Sequence, residues 1–124
     1  MQALHALLGS AADRTRVTLI DSNKDQSDIL AKEALDGWAV THTHRFHVIH
    51  TLTREPIGSS WSGYRGRIDR AFLQQHLPPP SSDVLIFVCG PPSMYEALSG
   101  ARGDKALSGT LADLGYSAAQ VVKL

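Results

Sequence analysis

The only cysteine of this chain of 124 residues, Cys89, lies between an apolar run and the turn-forming triplet Gly90–Pro91–Pro92. A thiol at that corner has two interpretations. It is either a small buried side chain at the end of a strand, or it lines a ligand site where Gly90 lets a ligand approach the backbone. In the second case, the N-terminus of the helix that begins after the prolines can hold a phosphate or change the reactivity of the thiol.

Four histidines within nine residues, His42, His44, His47 and His50, form a second group that invites a chemical interpretation. Side chains alternate between the two faces of a strand, so His44 and His50 share one face and His47 takes the other. Because three imidazoles then do not converge, we predict solvated or packing histidines and no metal site.

Three arginines, Arg65, Arg67 and Arg70, follow a loop rich in turn formers. They either begin a solvated helix with Asp69 pairing nearby, or they form an anion site, because guanidinium groups bind phosphates in a bidentate way. The sequence alone leaves both possibilities open.

Alternating patterns predict the elements that position these groups. Turn formers separate short β-rich runs from segments with helical periodicity. Strands are predicted at 16–21, 45–52, 83–90 and 119–124, helices at 1–10, 25–40, 67–77, 91–100 and 105–117, and a loop at 54–66.

Strands that alternate with helices indicate an α/β fold with a parallel sheet. The strand before Cys89 is apolar on both faces, which predicts cover on both sides. Ligands of open α/β sheets bind outside the carboxyl ends of the strands. Those ends fall at 21–23, 51–54 and 89–92, so the cysteine corner belongs to the predicted ligand crevice.

Composition excludes several function classes. The chain has 12 basic residues (Lys and Arg) and 12 acidic residues (Asp and Glu), so its net charge is zero. That balance gives no sign of the basic surface that nucleic-acid binding requires. One cysteine excludes an intrachain disulfide framework and favours a reducing compartment. The P-loop, the G-x-S-x-G elbow and the G-x-G-x-x-G fingerprint are all absent from the sequence.

The corner around Cys89, which reads FVCGPPSMYEAL, resembles the C-G-P-P-x-M signature of ferredoxin reductase-like flavoenzymes, most closely the NADH–cytochrome b5 reductases. Four further stretches are similar to segments of that family, and they occur in the same order. They read SNKDQSDILAKEAL, HVIHTLTREP, WSGYRGRIDRAFLQQHLPPP and LADLGYSAAQVVKL. The resemblance covers nearly the whole chain.

The resemblance implies an oxidoreductase domain that binds NADH, with NADPH as the alternative, and passes hydride to FAD. Electrons would then pass to cytochrome b5 or a similar acceptor. Cys89 is the implied catalytic residue, because it would lie against the nicotinamide and align hydride transfer without acting as a nucleophile. The implied cofactor-binding residues are Ser22, Asn23, Lys24, Thr53, Arg67, Gly90, Pro91, Pro92 and Met94.

Three positions depart from the family pattern. Thr53 replaces an aspartate that, in NADH enzymes, repels a 2′-phosphate and accepts hydrogen bonds from the ribose. Arg67 and Leu124 replace aromatic residues. Thr53 therefore predicts weakened discrimination against NADPH, with Arg54 and Arg67 as the guanidinium groups that could bind the phosphate.

The family's first strand, its glycine-rich pyrophosphate loop and its flavin barrel all precede the matching region. We therefore expect residues 1–124 to form a single, N-terminally truncated NAD(P)-binding domain. Its expected fold is a three-layer open parallel α/β sheet of the ferredoxin reductase-like type, without that first strand and barrel.

Such a fragment is expected to hold no FAD, to be inactive alone and to self-associate through exposed strand edges. The full-length protein would be intracellular, on the cytoplasmic face of a membrane or in mitochondria. The alternative function is an inactive nucleotide-fold binding or interaction module. An unrelated flavodoxin-like domain, with Asp21 at a strand end, is a third possibility.

Overall fold

The fold was analysed in a computed structural model, which describes residue 9 and residues 14–124. The chain divides into two units, Met1–Ile68 and Asp69–Leu124. The helix predicted at 1–10 falls outside the described residues, apart from residue 9. Among the described residues, no helix is both long and apolar enough to cross a membrane.

A parallel sheet of three strands forms the first unit. β1 (Val17–Asn23) pairs with β2 (Phe46–Leu52), in a register that runs from Val17 opposite Phe46 to Asn23 opposite Leu52. The two-residue strand β3 (Tyr64–Arg65) pairs with the end of β2. The predicted loop at 54–66 therefore contains a short strand, because backbone groups of that loop extend the β2 ladder.

The helix predicted at 25–40 is broken in the structure. A 3₁₀ turn at Gln26–Asp28 is followed by α1 (Lys32–Thr41). Ala31 lies between them with φ 55°, in the left-handed region that ends a right-handed helix. The apolar periodicity of the segment did not reveal this break, around which Ile29 and Leu35 are buried but Leu30 is 83% exposed.

The core of the first unit lies between α1 and one face of the sheet. Leu35 of α1 and Phe46 of β2 are buried, with 3% and 0% of their surface exposed. Alternation along the strands brings Val17, Leu19 and Val48 to the same cluster, and α1 adds Trp38 and Ala39. Toward the carboxyl ends of β1 and β2, polar side chains take the place of apolar ones on this face of the strands. They also face α1.

The second unit pairs β4 (Ile86–Val88) with β5 (Val121–Lys123), also in parallel. Its helices are α2 (Arg70–His76), α3 (Pro92–Leu98) and α4 (Gly109–Asp113). Each is shorter than the sequence pattern predicted, and the 105–117 stretch is helical only at α4. Parallel strands joined through helices confirm the predicted α/β fold class.

The carboxyl end of the second unit is held by side-chain hydrogen bonds. The Lys123 ammonium donates to the carbonyl oxygens of Ala101, Asp104 and Ala106 at 3.0, 2.9 and 3.1 Å. The Tyr95 hydroxyl donates to the carbonyl oxygen of Leu124 at 2.5 Å. The loop after α3 is thus fixed to the last strand.

The expectation that the strand before Cys89 is covered on both faces is wrong for the described residues. Val88 is buried, but Leu85 and Phe87 are 55% and 54% exposed. Residues two apart lie on the same face of a strand, so Leu85 and Phe87 form one open apolar surface. Among the described strands, β4 pairs only with β5.

Gly109 generates a test of this packing. Its φ is +75°, and a Cβ added there would lie 2.6 Å from the carbonyl oxygen of Ala97. We expect Gly109→Ala to lower the free energy of unfolding by about 1–3 kcal/mol, because it adds backbone strain and a backbone clash. Gly103→Ala is the matched control, since a Cβ at Gly103 meets nothing within 4 Å. Chemical denaturation measures both variants, and equal midpoints would contradict this packing of α4.

Candidate functional site

The predicted site residues fall into two groups, one in each unit. The first group lies at the carboxyl ends of β1 and β2 and in the loop that follows β2: Ser22, Asn23, Lys24, Thr53 and Arg67. The second group lies at the carboxyl end of β4 and the start of α3: Cys89, Gly90, Pro91, Pro92 and Met94.

Asn23, Lys24 and Thr53 are brought together by the continuation of the β1–β2 ladder. The backbone N–H of Thr53 donates to the Asn23 carbonyl oxygen at 2.9 Å, and that of Arg54 donates to the Lys24 carbonyl oxygen at 2.7 Å. The Thr53 hydroxyl lies 3.4 Å from the same Asn23 oxygen. The side chains of Lys24, Thr53 and Arg54 are exposed, so they are accessible to a ligand at this edge.

The side-chain amide of Asn23 has an unused donor. Its Nδ2 is inaccessible to solvent and has no hydrogen-bond partner in the described part of the chain. A buried unpaired donor costs about 1–3 kcal/mol, which an acceptor on a ligand would recover. Ribose hydroxyl and phosphate oxygens are acceptors of that kind, but a nitrogen that is closed to solvent is closed to them as well unless neighbouring groups move.

A carboxylate fixes the loop after β2 to the segment after β1. Glu55 accepts from the Gln26 backbone N–H at 3.0 Å and from the Gln26 side-chain amide at 2.9 Å. The side-chain hydrogen bond, followed by the backbone one, lowers the pKa of Glu55 below its usual value. Sequence analysis missed this pair, because 29 residues separate its members.

Arg65 organises the rest of that loop. Its guanidinium donates to the carbonyl oxygens of Glu55, Pro56 and Trp61 at 2.9, 3.3 and 3.1 Å, and to the Ser59 hydroxyl at 3.3 Å. Arg65 therefore orders the loop in which it lies.

Of the other two arginines, Arg67 lies near the end of the first unit and Arg70 near the start of the second. Asp69 caps α2 by accepting from the Phe72 backbone N–H at 2.9 Å, so the expected pairing of Asp69 with an arginine is replaced by helix capping. Arg67 is exposed two residues beyond β3, where its guanidinium can reach a ligand.

The Cys89 corner is an exposed turn between β4 and α3. Cys89 and Gly90 are both exposed, and Pro91 caps α3, with Pro92 as its first residue. Proline suits this position because the first turn of a helix has no acceptor for its N–H. The interpretation of Cys89 as a buried side chain is therefore wrong.

Gly90 and Met94 are in close contact. A Cβ at Gly90 would lie 2.2 Å from Sδ of Met94, so Gly90 leaves space that the thioether occupies. The turn thus presents the Cys89 thiol and a polarisable thioether next to one another. Thioethers make favourable contacts with aromatic rings.

A cluster of charged side chains next to the first group was not predicted from the sequence. His50 lies between Asp21 and Asp36, with its Nδ1 3.3 Å from Oδ2 of Asp21 and its Nε2 3.0 Å from Oδ1 of Asp36. A signal was available, since Asp21 and His50 interrupt otherwise apolar strand positions on the face that packs against α1. The described residues contain no group of three or more His, Cys, Asp or Glu side chains suited to a metal ion.

Residues 1–100 match the family model of the oxidoreductase NAD-binding domain. The chain is 39% identical over 126 residues to NADH-cytochrome b5 reductase 2 of Debaryomyces hansenii, covering 98% of this chain and 42% of that protein. It is 41% identical over 128 residues to NADH-cytochrome b5 reductase 2 of Mycosarcoma maydis, covering 98% of this chain and 36% of that protein.

Two solved structures share the fold. The cytochrome b5 reductase domain of Ulva prolifera nitrate reductase superposes with a TM-score of 0.82 at 24% identity, covering 99% of this chain and 42% of that one. The CS-b5R domains of human Ncb5or, in the NAD⁺ form, give a TM-score of 0.74 at 27% identity, covering 98% of this chain and 31% of that one. These likenesses confirm the ferredoxin reductase-like fold.

The chain spans about two fifths of the length of the curated relatives named here, 42% in one case and 36% in the other. Within that span, the motif around Cys89, the family model and the reductase relatives agree. The chain belongs to the oxidoreductase NAD-binding domain family, which confirms the resemblance to NADH–cytochrome b5 reductases predicted from its sequence.

Proposed function

We propose that the chain is the nicotinamide-dinucleotide-binding part of a flavin-dependent reductase that passes electrons to a one-electron acceptor such as cytochrome b5. The observation that carries the proposal is the family match of residues 1–100, which spans both groups of predicted site residues. The names of the reductase relatives support NADH and cytochrome b5 as the reaction partners.

The first group binds the adenosine half of the dinucleotide in this proposal. Asn23 ends β1 at this edge, and the exposed Lys24 supplies a positive charge beside it. Ser22 precedes them on β1 and helps shape the edge. The Glu55–Gln26 hydrogen bonds keep the neighbouring loop in place, so little ordering is needed on binding.

The second group orients the nicotinamide half. Gly90, Pro91 and Pro92 form a stiff wall, and Met94 packs against the dinucleotide from the first turn of α3. Cys89 contacts the ring and fixes its distance and angle, which is the contribution that positioning makes to a transfer reaction. When bound, the nicotinamide supplies a hydride and the flavin accepts it.

Replacing the Cys89 thiol tests this role. The chain should be joined to the flavin-binding part of a reductase relative, and flavin reduction by NADH followed in single turnovers. We expect Cys89→Ala to slow flavin reduction by about tenfold to a hundredfold, because the ring loses its lateral contact, with little change in NADH affinity.

Cys89→Ser is the conservative control and should retain more of the rate. An unchanged rate in Cys89→Ala would contradict the role of the thiol. If the parent binds NADH but never reduces the flavin, the inactive binding module becomes the better description.

Thr53 bears on the choice between NADH and NADPH. It is exposed beside Asn23, where a carboxylate would stand close to a phosphate on the adenosine ribose. Two negative charges a few ångströms apart repel by about 1 kcal/mol or more near a protein surface. Threonine removes that repulsion and adds a donor, and Arg54 and Arg67 are exposed cations on the same loop.

Thr53→Asp should therefore weaken NADPH binding about fivefold or more and leave NADH binding within about twofold. Calorimetric titration of both cofactors measures the effect, with Thr53→Asn as a neutral control of similar size. Equal losses for the two cofactors, or unchanged NADPH binding, would show that Thr53 does not face the 2′ position.

Self-association of the isolated chain is also proposed, because Leu85 and Phe87 leave an apolar face of β4 open. Light scattering over a range of concentrations should detect dimers or larger species. Phe87→Ser should shift the population toward monomer, whereas Ile57→Ser, at a loop residue that is 96% exposed, should not. A parent chain that stays monomeric and melts cooperatively would contradict the proposal.

A further inference from the structure

Two segments of the first unit run side by side beyond the last pair of the β1–β2 ladder. The Thr53 N–H donates to the Asn23 carbonyl oxygen at 2.9 Å, and the Arg54 N–H donates to the Lys24 carbonyl oxygen at 2.7 Å. The side chains of Lys24, Thr53 and Arg54 are exposed. This stretch therefore carries residues that, in the proposed function, face the adenosine half of the dinucleotide.

A carboxylate closes the stretch at its far end. Glu55 accepts from the backbone N–H of Gln26 at 3.0 Å and from its side-chain amide at 2.9 Å. Gln26 and Glu55 are 29 residues apart, which is also the separation of Asn23 and Leu52, the last pair of the ladder. The Glu55 side chain thus joins the two segments where a later pair of the same register would fall. We call Glu55 and Gln26 the Glu55 bridge.

The Gln26 N–H is available for this bond because of its place in a turn. Gln26 is the first residue of the 3₁₀ turn Gln26–Asp28, and the first N–H groups of a helix have no partner inside it. The Asp25 carboxylate caps the turn by accepting from the Ser27 N–H at 3.0 Å, which leaves the Gln26 N–H to Glu55. The side-chain hydrogen bond from Gln26, followed by the backbone one, lowers the pKa of Glu55, so its carboxylate accepts as an ion at neutral pH.

Glu55 is also held through its backbone. Its carbonyl oxygen accepts from the Arg65 guanidinium at 2.9 Å, and the carbonyl oxygen of Pro56 accepts from the same group at 3.3 Å. Arg65 belongs to β3, which pairs with the end of β2. The bridge therefore ties the segment after β1 to a loop whose backbone is already fixed.

Lys24 and Thr53 lie between two connections. The last ladder pair is on one side of them, and the Glu55 bridge is on the other. A segment that is connected at both ends loses little freedom when a ligand binds, whereas a frayed end must be ordered by the ligand at a cost in affinity. The bridge can thus contribute to dinucleotide affinity although neither of its members has to touch the ligand.

We propose that Glu55 is a positioning residue, whose carboxylate holds Gln26 and so keeps Lys24 and Thr53 in place for the dinucleotide without contacting it. This role rests on the proposed function and deepens it, because it adds a determinant of cofactor affinity outside both groups of predicted site residues.

Gln26→Pro breaks the bridge and leaves the charge of Glu55 unchanged. Proline has neither an N–H nor a side-chain amide, so both donors are lost. It suits the first position of a helical turn, and Asp25 before it is already extended, with φ −143° and ψ 177°, as a residue before proline should be. Ala118→Pro is the matched control, since Ala118 occupies the first position of the 3₁₀ turn Ala118–Gln120 in the second unit.

Hydrogen exchange tests whether the bridge fixes the two segments, with no ligand present. We expect the Thr53 and Arg54 amides to exchange about threefold to tenfold faster in Gln26→Pro, because their acceptors lie on the released segment. The amides of Val17 and Phe46, at the opposite end of the strands, should keep their rates. Unchanged exchange at Thr53 and Arg54 would overturn the proposal, and so would equally faster exchange at all four amides, which would indicate general destabilisation.

Calorimetric titration measures the effect on the cofactor. Gln26→Pro should bind NADH and NADPH about threefold to tenfold more weakly, with the two losses equal to within about twofold, because the charge at this edge is unchanged. Ala118→Pro should bind both cofactors as the parent does. If Gln26→Pro releases the two segments but binds NADH as tightly as the parent, the positioning role is wrong.

Substitution of Glu55 separates its hydrogen bonds from its charge. The amide oxygen of Glu55→Gln can still accept from one Gln26 donor, so this conservative variant should recover part of the NADH affinity that Glu55→Ala loses. Glu33→Gln, at an exposed carboxylate of α1, is the control for the loss of one negative charge. No recovery in Glu55→Gln would count against the bridge. Glu55→Ala also replaces Gln26→Pro in the exchange and titration experiments if that variant fails to fold.

Flavin reduction distinguishes cofactor positioning from a part in the reaction itself. In the chain joined to the flavin-binding part of a reductase relative, Gln26→Pro should raise the half-saturating NADH concentration about threefold to tenfold and leave the maximal rate within about twofold, because the residues around Cys89 are unchanged. A lower maximal rate at unchanged half-saturation would contradict the proposal. A parent that binds no NADH contradicts the proposed function instead, while hydrogen exchange still decides whether the bridge holds the two segments.

Discussion

The parallel pairing of β1 with β2 is the constraint on which the first unit depends. Seven consecutive residue pairs, from Val17–Phe46 to Asn23–Leu52, fix the register. A shift of one residue would turn every side chain to the opposite face. Phe46 would then leave the core, and His50 would leave Asp21. The apolar core and the polar edge are thus set by a single alignment. The packed apolar residues lie at one end of the strands, and the polar residues lie at the other.

Hydrogen bonds that bridge distant segments extend this order beyond the strands. Glu55 binds the segment after β1, Arg65 gathers the carbonyl groups of its own loop, and the Thr51 hydroxyl donates to the Gly66 carbonyl oxygen at 2.8 Å. Irregular backbone needs such partners because it lacks a ladder of its own. The backbone on either side of β3, which carries Thr53 and Arg67, is therefore ordered.

Sequence reasoning predicted the α/β class, most of the strands and the family, because period-two runs and the motif around Cys89 are local signals. It missed the break at Ala31, since a residue in the left-handed backbone conformation does not change the spacing of apolar residues in the sequence. It also missed the exposed face at Phe87, because an apolar strand does not reveal whether anything covers it. The Glu55–Gln26 pair and the cluster of His50 with Asp21 and Asp36 depend on the tertiary approach of residues far apart in the chain, which no spacing rule contains.

The hydrogen bonds of Lys123 affect how the second unit opens. Three carbonyl oxygens of the loop after α3 share one ammonium group, and that group belongs to β5. The loop does not separate from the strand when a single contact opens, because the other two still hold it. Loop and strand thus behave as one cooperative unit in local unfolding, so the mobility of an exposed loop is governed by the strength of a short pair of strands.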